Sequence, residues 1–181
     1  MFNCTKKLSV ALSMLIFGVL AASSAEASDL AVDYSYWNTS DGKAASGLML
    51  HGAADVGTPG LQLEGRISYY DNISVASDPK ITVLPVEAGA RLHMFPGSMI
   101  DPYGSLGLGY YFFDGSSGFN VDNSWGGYAV LGSNFGMADM LGGFTINTEL
   151  FYRYIKDASR DNFPDYDASG WGFNVGAGFH W

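Results

Sequence analysis

The chain has 181 residues, room for one domain, and carries a formal net charge of -9. Such an acidic balance gives nucleic acid no electrostatic footing, which excludes DNA and RNA as partners. The 24 glycines, the 15% aromatic content and the single cysteine, together with the lack of any sustained helical periodicity, point to strands without a disulfide framework.

The N-terminus reads as a secretory signal: Lys6 and Lys7, an apolar run from Leu8 to Ala22, and the small-residue site Ala25-Glu26-Ala27. Cleavage after Ala27 is expected, which makes residues 1–27 a signal peptide and residues 28–181 the mature barrel. The apolar run, about 15 residues, is short of the roughly 20 that span a bilayer as a helix. Cys4 precedes that run instead of following it, so no lipid anchor is expected, and its removal leaves no thiolate for a metal or a nucleophile.

Period-two alternation predicts strands at Leu30 to Asn38, Gly47 to Val56, Leu61 to Tyr69, Ile81 to Met94, Tyr103 to Phe113, Ser124 to Phe135, Phe144 to Tyr154 and Trp171 to Trp181. The third is the clearest, with Leu61, Leu63, Ile67 and Tyr69 on one face and Gln62, Glu64, Arg66 and Ser68 on the other. In the second and sixth, Leu48-Met49-Leu50 and Tyr128-Ala129-Val130-Leu131 are apolar on both parities. Pro85 within the fourth predicts a bulge or a start nearer Val86. Connections around Asp41, Ser77, Ser117 and Asp161 are read as long polar loops of roughly eight to thirteen residues, those around Pro59, Gly97 and Asp139 as short turns. The predicted class is all-β, an eight-stranded antiparallel up-and-down transmembrane β-barrel with its N-terminus periplasmic.

Charge placement selects a membrane barrel over a soluble one. Glu64, Arg66, Glu87, Arg91, Glu149 and Arg153 fall near mid-strand, opposite the Leu, Ile, Val and aromatic face. Facing lipid, each Arg costs roughly 2 to 4 kcal/mol, so these residues are expected inside as a lumen charge network. Aromatic residues are read as two interfacial belts, with Tyr36, Trp37, Tyr69, Phe112, Trp125, Tyr154 and Trp171 toward the loops and Phe95, Tyr103, Phe144, Phe179 and Trp181 toward the turns.

The final stretch, Asn174-Val175-Gly176-Ala177-Gly178-Phe179-His180-Trp181, resembles the C-terminal assembly signal of bacterial outer-membrane barrels, with Trp181 where that family most often ends in Phe. The fifth strand, Asp101-Pro-Tyr-Gly-Ser-Leu-Gly-Leu-Gly-Tyr-Tyr, is similar to stretches of small OmpA/OmpX-like barrel domains. The resemblance implies residence in the outer membrane of a Gram-negative-type bacterium, among its lipids and lipopolysaccharide. It also implies escort by periplasmic chaperones and insertion by the barrel-assembly machinery, with Asn174, Gly176, Phe179 and Trp181 as the signal. It implies no activity and no cofactor, and no peptidoglycan-binding domain is expected after the barrel.

Three chemical readings remain to be weighed. Glu64, Glu87 and Glu149 are candidates for acid and base catalysis, but a salt-bridge network is the expected use. A lipid A-modifying enzyme is the main alternative, because one deacylase family sets His, Ser and Glu on such a barrel. Here His51, His93 and His180 lie on strands that run toward the periplasm, and none has a Ser two residues on. Asp157, Asp161, Asp165 and Asp167 match no calcium-loop spacing, so no metal is expected. A narrow porin-like channel is the other alternative, disfavoured because eight strands leave little more than side-chain space inside. The expected role is non-enzymatic, structural or through a surface partner at acidic extracellular loops.

Overall fold

The computed structural model describes residues 28–41, 44–74, 80–115, 121–136, 143–156 and 167–180. Residues 1–27, expected from the sequence to be a signal peptide, and Trp181 lie outside them, as do Asp157, Asp161 and Asp165. Eight strands follow in order: β1 (Ser28–Thr39), β2 (Ala45–Asp55), β3 (Leu61–Ser74), β4 (Lys80–His93), β5 (Ile100–Gly115), β6 (Ser124–Gly136), β7 (Phe144–Ile155) and β8 (Gly170–His180). Each pairs antiparallel with the next, and β1 pairs with β8 from Asp29↔His180 to Thr39↔Gly170, which closes the barrel. Closure gives the backbone N–H and C=O groups partners within the sheet, a condition that any structure in hydrocarbon must meet.

Alternation decides which side chains face out. Leu63, Leu106 and Leu131 stand on the outer wall, 60%, 70% and 66% exposed, while their neighbours Glu64, Ser105 and Val130 are buried inside. The two strands with apolar residues on both parities resolve in the same way: Met49, Tyr128 and Val130 point inward, and Leu48, Ala129 and Leu131 point outward.

The strands run further than the alternation predicted toward the loop end. Residues 40–44 and 75–79 are therefore all that remain between β1 and β2 and between β3 and β4. The eight to thirteen residues expected there are a correction; only 116–123 and 156–169 are longer than the turns. Pro85 does not delay β4, which begins at Lys80 and carries Pro85 opposite Tyr111 of β5. The irregularity sits on the neighbouring strand. Between Tyr70 and Ile73, β3 places two residues opposite Thr82 alone, a bulge that restores inward parity at Ile73.

At the other end the turns are tight. Gly57, Gly60 and Gly97 take positive φ there, a backbone region that favours glycine. At Gly60 the chain also approaches β4 closely, its carbonyl accepting the His93 amide at 2.7 Å.

Two aromatic assignments are corrected. Trp37 and Tyr103 are not belt residues: both are buried in the lumen, on the parity of Asp33 and Asp101 respectively. Trp125, Tyr154 and Trp171 do stand outside at the loop end, and Phe95 and Phe179 outside at the turn end.

A sheet without edges resists dodecyl sulfate until it is heated. The unboiled protein is expected to migrate apart from the boiled sample on a gel, and identical migration under both conditions contradicts a closed barrel.

Candidate functional site

Inward parity brings the six sequence-predicted charges into one cluster. Glu64 and Arg66 come from β3, Glu87 and Arg91 from β4, and Glu149 and Arg153 from β7; the three arginines are 0–1% exposed. Register places Arg66 opposite Glu87, but its short contact crosses the lumen, with Nη2 2.6 Å from Glu149 Oε2. Arg91 reaches Glu64 from Nε at 3.0 Å and from Nη2 at 2.8 Å. Arg153 grips Glu87 at both oxygens, Nε to Oε1 at 2.8 Å and Nη2 to Oε2 at 3.0 Å. Such paired, charge-assisted bonds are the strong kind.

A tyrosine completes each carboxylate, and sequence reasoning missed all three. Tyr128 donates to Glu64 at 2.7 Å, Tyr111 to Glu87 at 2.8 Å and Tyr103 to Glu149 at 2.8 Å. These rings also cover cations: Arg91 lies 4.3 Å from the Tyr103 centroid and Arg66 5.2 Å from that of Tyr128. Glycines make the space, since a Cβ on Gly132 would fall 2.7 Å from the Tyr103 hydroxyl. The sequence signal was parity. Tyr103 and Tyr111 alternate with Leu106 and Leu108 and fall on the side of Asp101 and Ser105.

Asn174, read as part of the assembly signal, also belongs to the interior. Its amide donates to Glu149 Oε2 at 2.6 Å, and its carbonyl accepts from Ser35 at 2.5 Å. Gly176 shares that inward parity on β8, and Phe179 faces out.

Toward the loops the lumen turns apolar. Trp37, Ile73, Ile81, Val83, Phe113 and Ile155 form one buried cluster above Arg153. Toward the turns it stays polar, and the histidines lie here. His51 sits 3.2 Å from Asp33. His93 is held between Asp101 at 2.8 Å and Gln62 at 3.0 Å. The Ser98 hydroxyl hydrogen-bonds the Phe95 and Ile100 carbonyls, and the two nitrogens of the His93 ring are engaged by Asp101 and Gln62 instead of by that hydroxyl. Among the described residues, no group of three His, Cys, Asp or Glu converges as a metal site.

The comparisons with known proteins agree with this architecture. The model of the family described as outer membrane protein beta-barrel domain matches residues 8–179. No curated protein matches the sequence significantly. The barrel is similar to the outer membrane protein OprG from Pseudomonas aeruginosa, at 16% identity and TM-score 0.74, covering 87% of this chain and 96% of that one. It is also similar to Neisserial surface protein A, at 14% identity and TM-score 0.59, covering 85% and 94%. A third likeness is to Ail, the attachment invasion locus protein of Yersinia pestis, in complex with the heparin analogue sucrose octasulfate, at 16% identity and TM-score 0.55, covering 86% and 97%. At these identities the likeness is one of fold.

Removing one member of a buried ion pair strands its partner, at a cost of about 3 to 5 kcal/mol. Glu149→Ala is expected to lose that much in urea unfolding from lipid vesicles, and Glu149→Ala with Arg66→Met to regain part of it. Equal stability of wild type and Glu149→Ala contradicts the pairing.

Proposed function

The chain belongs to the outer membrane protein beta-barrel domain family and resides in the outer membrane, and from this premise we propose that it is a non-enzymatic envelope protein. Its barrel is an inert anchor, and its activity is contact with a surface partner through acidic loops. The observation that carries this reading is the filled interior. Three arginine–carboxylate pairs and the apolar cluster above them occupy the lumen, so the barrel acts as a plug instead of a channel.

The same interior argues against lipid A chemistry. A general base must reach its nucleophile within about 2.6 to 3.2 Å. Among the described residues the histidines stand toward the turn end and pair with carboxylates, away from the outer rim where lipopolysaccharide lies.

Charge gives the partner its sign. The sequence between β7 and β8 holds Asp157, Asp161, Asp165 and Asp167 against Lys156 and Arg160. Ail has been seen holding a sulfated sugar analogue; these loops repel such a polyanion, and the surface partner here is cationic. Residues 1–27 direct export and are removed, and Asn174, Gly176, Phe179 and Trp181 present the last strand to the assembly machinery and its chaperones.

Three measurements test the proposal. In planar bilayers the purified protein is expected to show no porin-level conductance, and a steady open channel overturns the plug. Lipid A from cells with and without the protein is expected to have the same mass, and loss or gain of an acyl chain overturns the non-enzymatic reading. Cells expressing the protein are expected to retain more fluorescent oligolysine than vector cells, falling to the vector level when residues 157–166 are replaced by a short Gly-Ser turn. Unchanged retention by that variant overturns the role of the loop.

A further inference from the structure

A polar cavity of about 190 Å³ opens at the turn end of the lumen, but a larger recess lies on the outside of the wall. An open groove of about 430 Å³ crosses β6, β7 and β8 there. Register explains its shape. Ser133 of β6 stands beside Thr148 of β7, and Thr148 beside Val175 of β8. These side chains are shorter than those of the next outward row toward the loops, where Leu131, Leu150 and Phe173 stand side by side. Glu149 and Asn174 also line the groove. Their side chains are bonded to each other inside the lumen, so what they present to the groove is backbone.

Two hydroxyls in this groove lack partners. Ser133 Oγ is buried without a hydrogen bond, and Thr148 makes no side-chain hydrogen bond among the described residues. Two other outward hydroxyls, toward the loops, are matched: Ser46 bonds the Tyr34 hydroxyl at 2.7 Å, and Thr82 donates to Asp71 at 2.9 Å. Hydrocarbon offers a hydroxyl no partner, so leaving one unpaired at membrane depth is costly. Rotation about χ1 turns the Ser133 hydroxyl toward the groove. The group it meets there must bring an acceptor.

Depth in the membrane narrows what that group is. On β6 the exposed rings of Trp125 and Phe135 mark the two ends of the apolar band, which in such barrels is roughly 25 Å tall. Ser133 is the first outward residue inside Phe135, about 5 Å deeper at ~3.3 Å per residue and a tilt of roughly 40°. With the ring at the headgroup level, that step reaches the ester carbonyls and first methylenes of the periplasmic leaflet. The groove has the polarity of a lipid in that leaflet. Its hydroxyls lie toward the turns, and Leu131, Leu150 and Phe173 continue toward the bilayer centre. Lipid A has the opposite orientation, with its esters at the loop end. The volume of about 430 Å³ falls within the roughly 300 to 1,000 Å³ of small-molecule sites, room for an ester and a stretch of one acyl chain.

We propose that this groove is a specific site for one diacyl phospholipid of the periplasmic leaflet, with an ester carbonyl accepting from Ser133 and Thr148 and the acyl chain lying along Leu131, Leu150 and Phe173. The site is continuous with the lipid-covered wall around it and stands on outer-membrane residence alone, independent of the loops.

The test is native mass spectrometry of the protein purified from outer membranes in mild detergent. A diacyl phosphatidylethanolamine is added, or its dialkyl ether analogue, which has the same chains without the carbonyls. One diacyl lipid is expected to be retained per monomer, at least tenfold above the ether lipid. Ser133→Ala combined with Thr148→Val removes both hydroxyls without adding bulk, and its folding is checked by heat-dependent gel migration. This variant is expected to hold the diacyl lipid no better than the ether. Ser46→Ala, on the wall away from the groove, is expected to keep the wild-type preference. Equal retention of the two lipids, a preference that survives the double variant, or one that Ser46→Ala abolishes each overturns the proposal. So does full displacement by purified lipid A, which assigns the groove to the other leaflet. A wild-type dimer that the double variant separates into monomers overturns it as well, because the groove then holds a second copy of the chain.

Discussion

A charged side chain has no tolerable place on the hydrocarbon face of a barrel wall, and the sequence puts three arginines at mid-strand opposite its greasy residues. Everything else in the structure accommodates that fact. The arginines turn inward, and once there they lose their water. Desolvation of an ion costs several kcal/mol, which attraction offsets only if geometry is good and the remaining lone pairs are filled. That requirement explains why each carboxylate receives both an arginine and a tyrosine hydroxyl. It also explains the glycines facing those rings, which let bulky phenols lie flat against the wall.

The interior is graded along the barrel axis. Near the loops it is apolar, in the middle ionic, and near the turns polar and partly open. An ion entering from the loop side meets a layer that offers no solvation and then a set of fixed charges already paired. That gradient underlies the reading of the protein as an anchor with two separate wet ends: a surface end rich in aspartate and a periplasmic end with its own cavity.

Much of this was legible before the structure, and the exceptions have physical causes. In Leu61 to Tyr69 one face is wholly apolar and the other wholly polar, so both the strand and its sidedness follow from period two. Met49, Tyr128 and Val130 obscure β2 and β6 because the lumen is not uniformly polar, and an apolar residue inside looks like one outside. Trp37 and Tyr103 were misread for the same reason: an aromatic ring near a strand end suits an interfacial belt and a lumen wall equally, and only parity with Asp33 and Asp101 separates them. The choice of Arg66 for Glu149 was invisible because the contact crosses from β3 to β7, whereas sequence reasoning sees neighbours such as Glu64 and Glu87. The loops came out shorter because strand pairing continues past the hydrophobic band, where alternation in polarity no longer marks it.

The sidedness of the wall is tested most directly by methyl resonances of the protein in nanodiscs that contain lipids spin-labelled on their acyl chains. The account predicts strong broadening of Leu63, Leu106 and Leu131, and sharp signals from Met49, whose sulfur lies 3.2 Å from Arg66, and from Ile73 and Val83. Broadening of Met49 together with sharp signals from the three leucines would place the arginine-bearing face against lipid and contradict the account at its root.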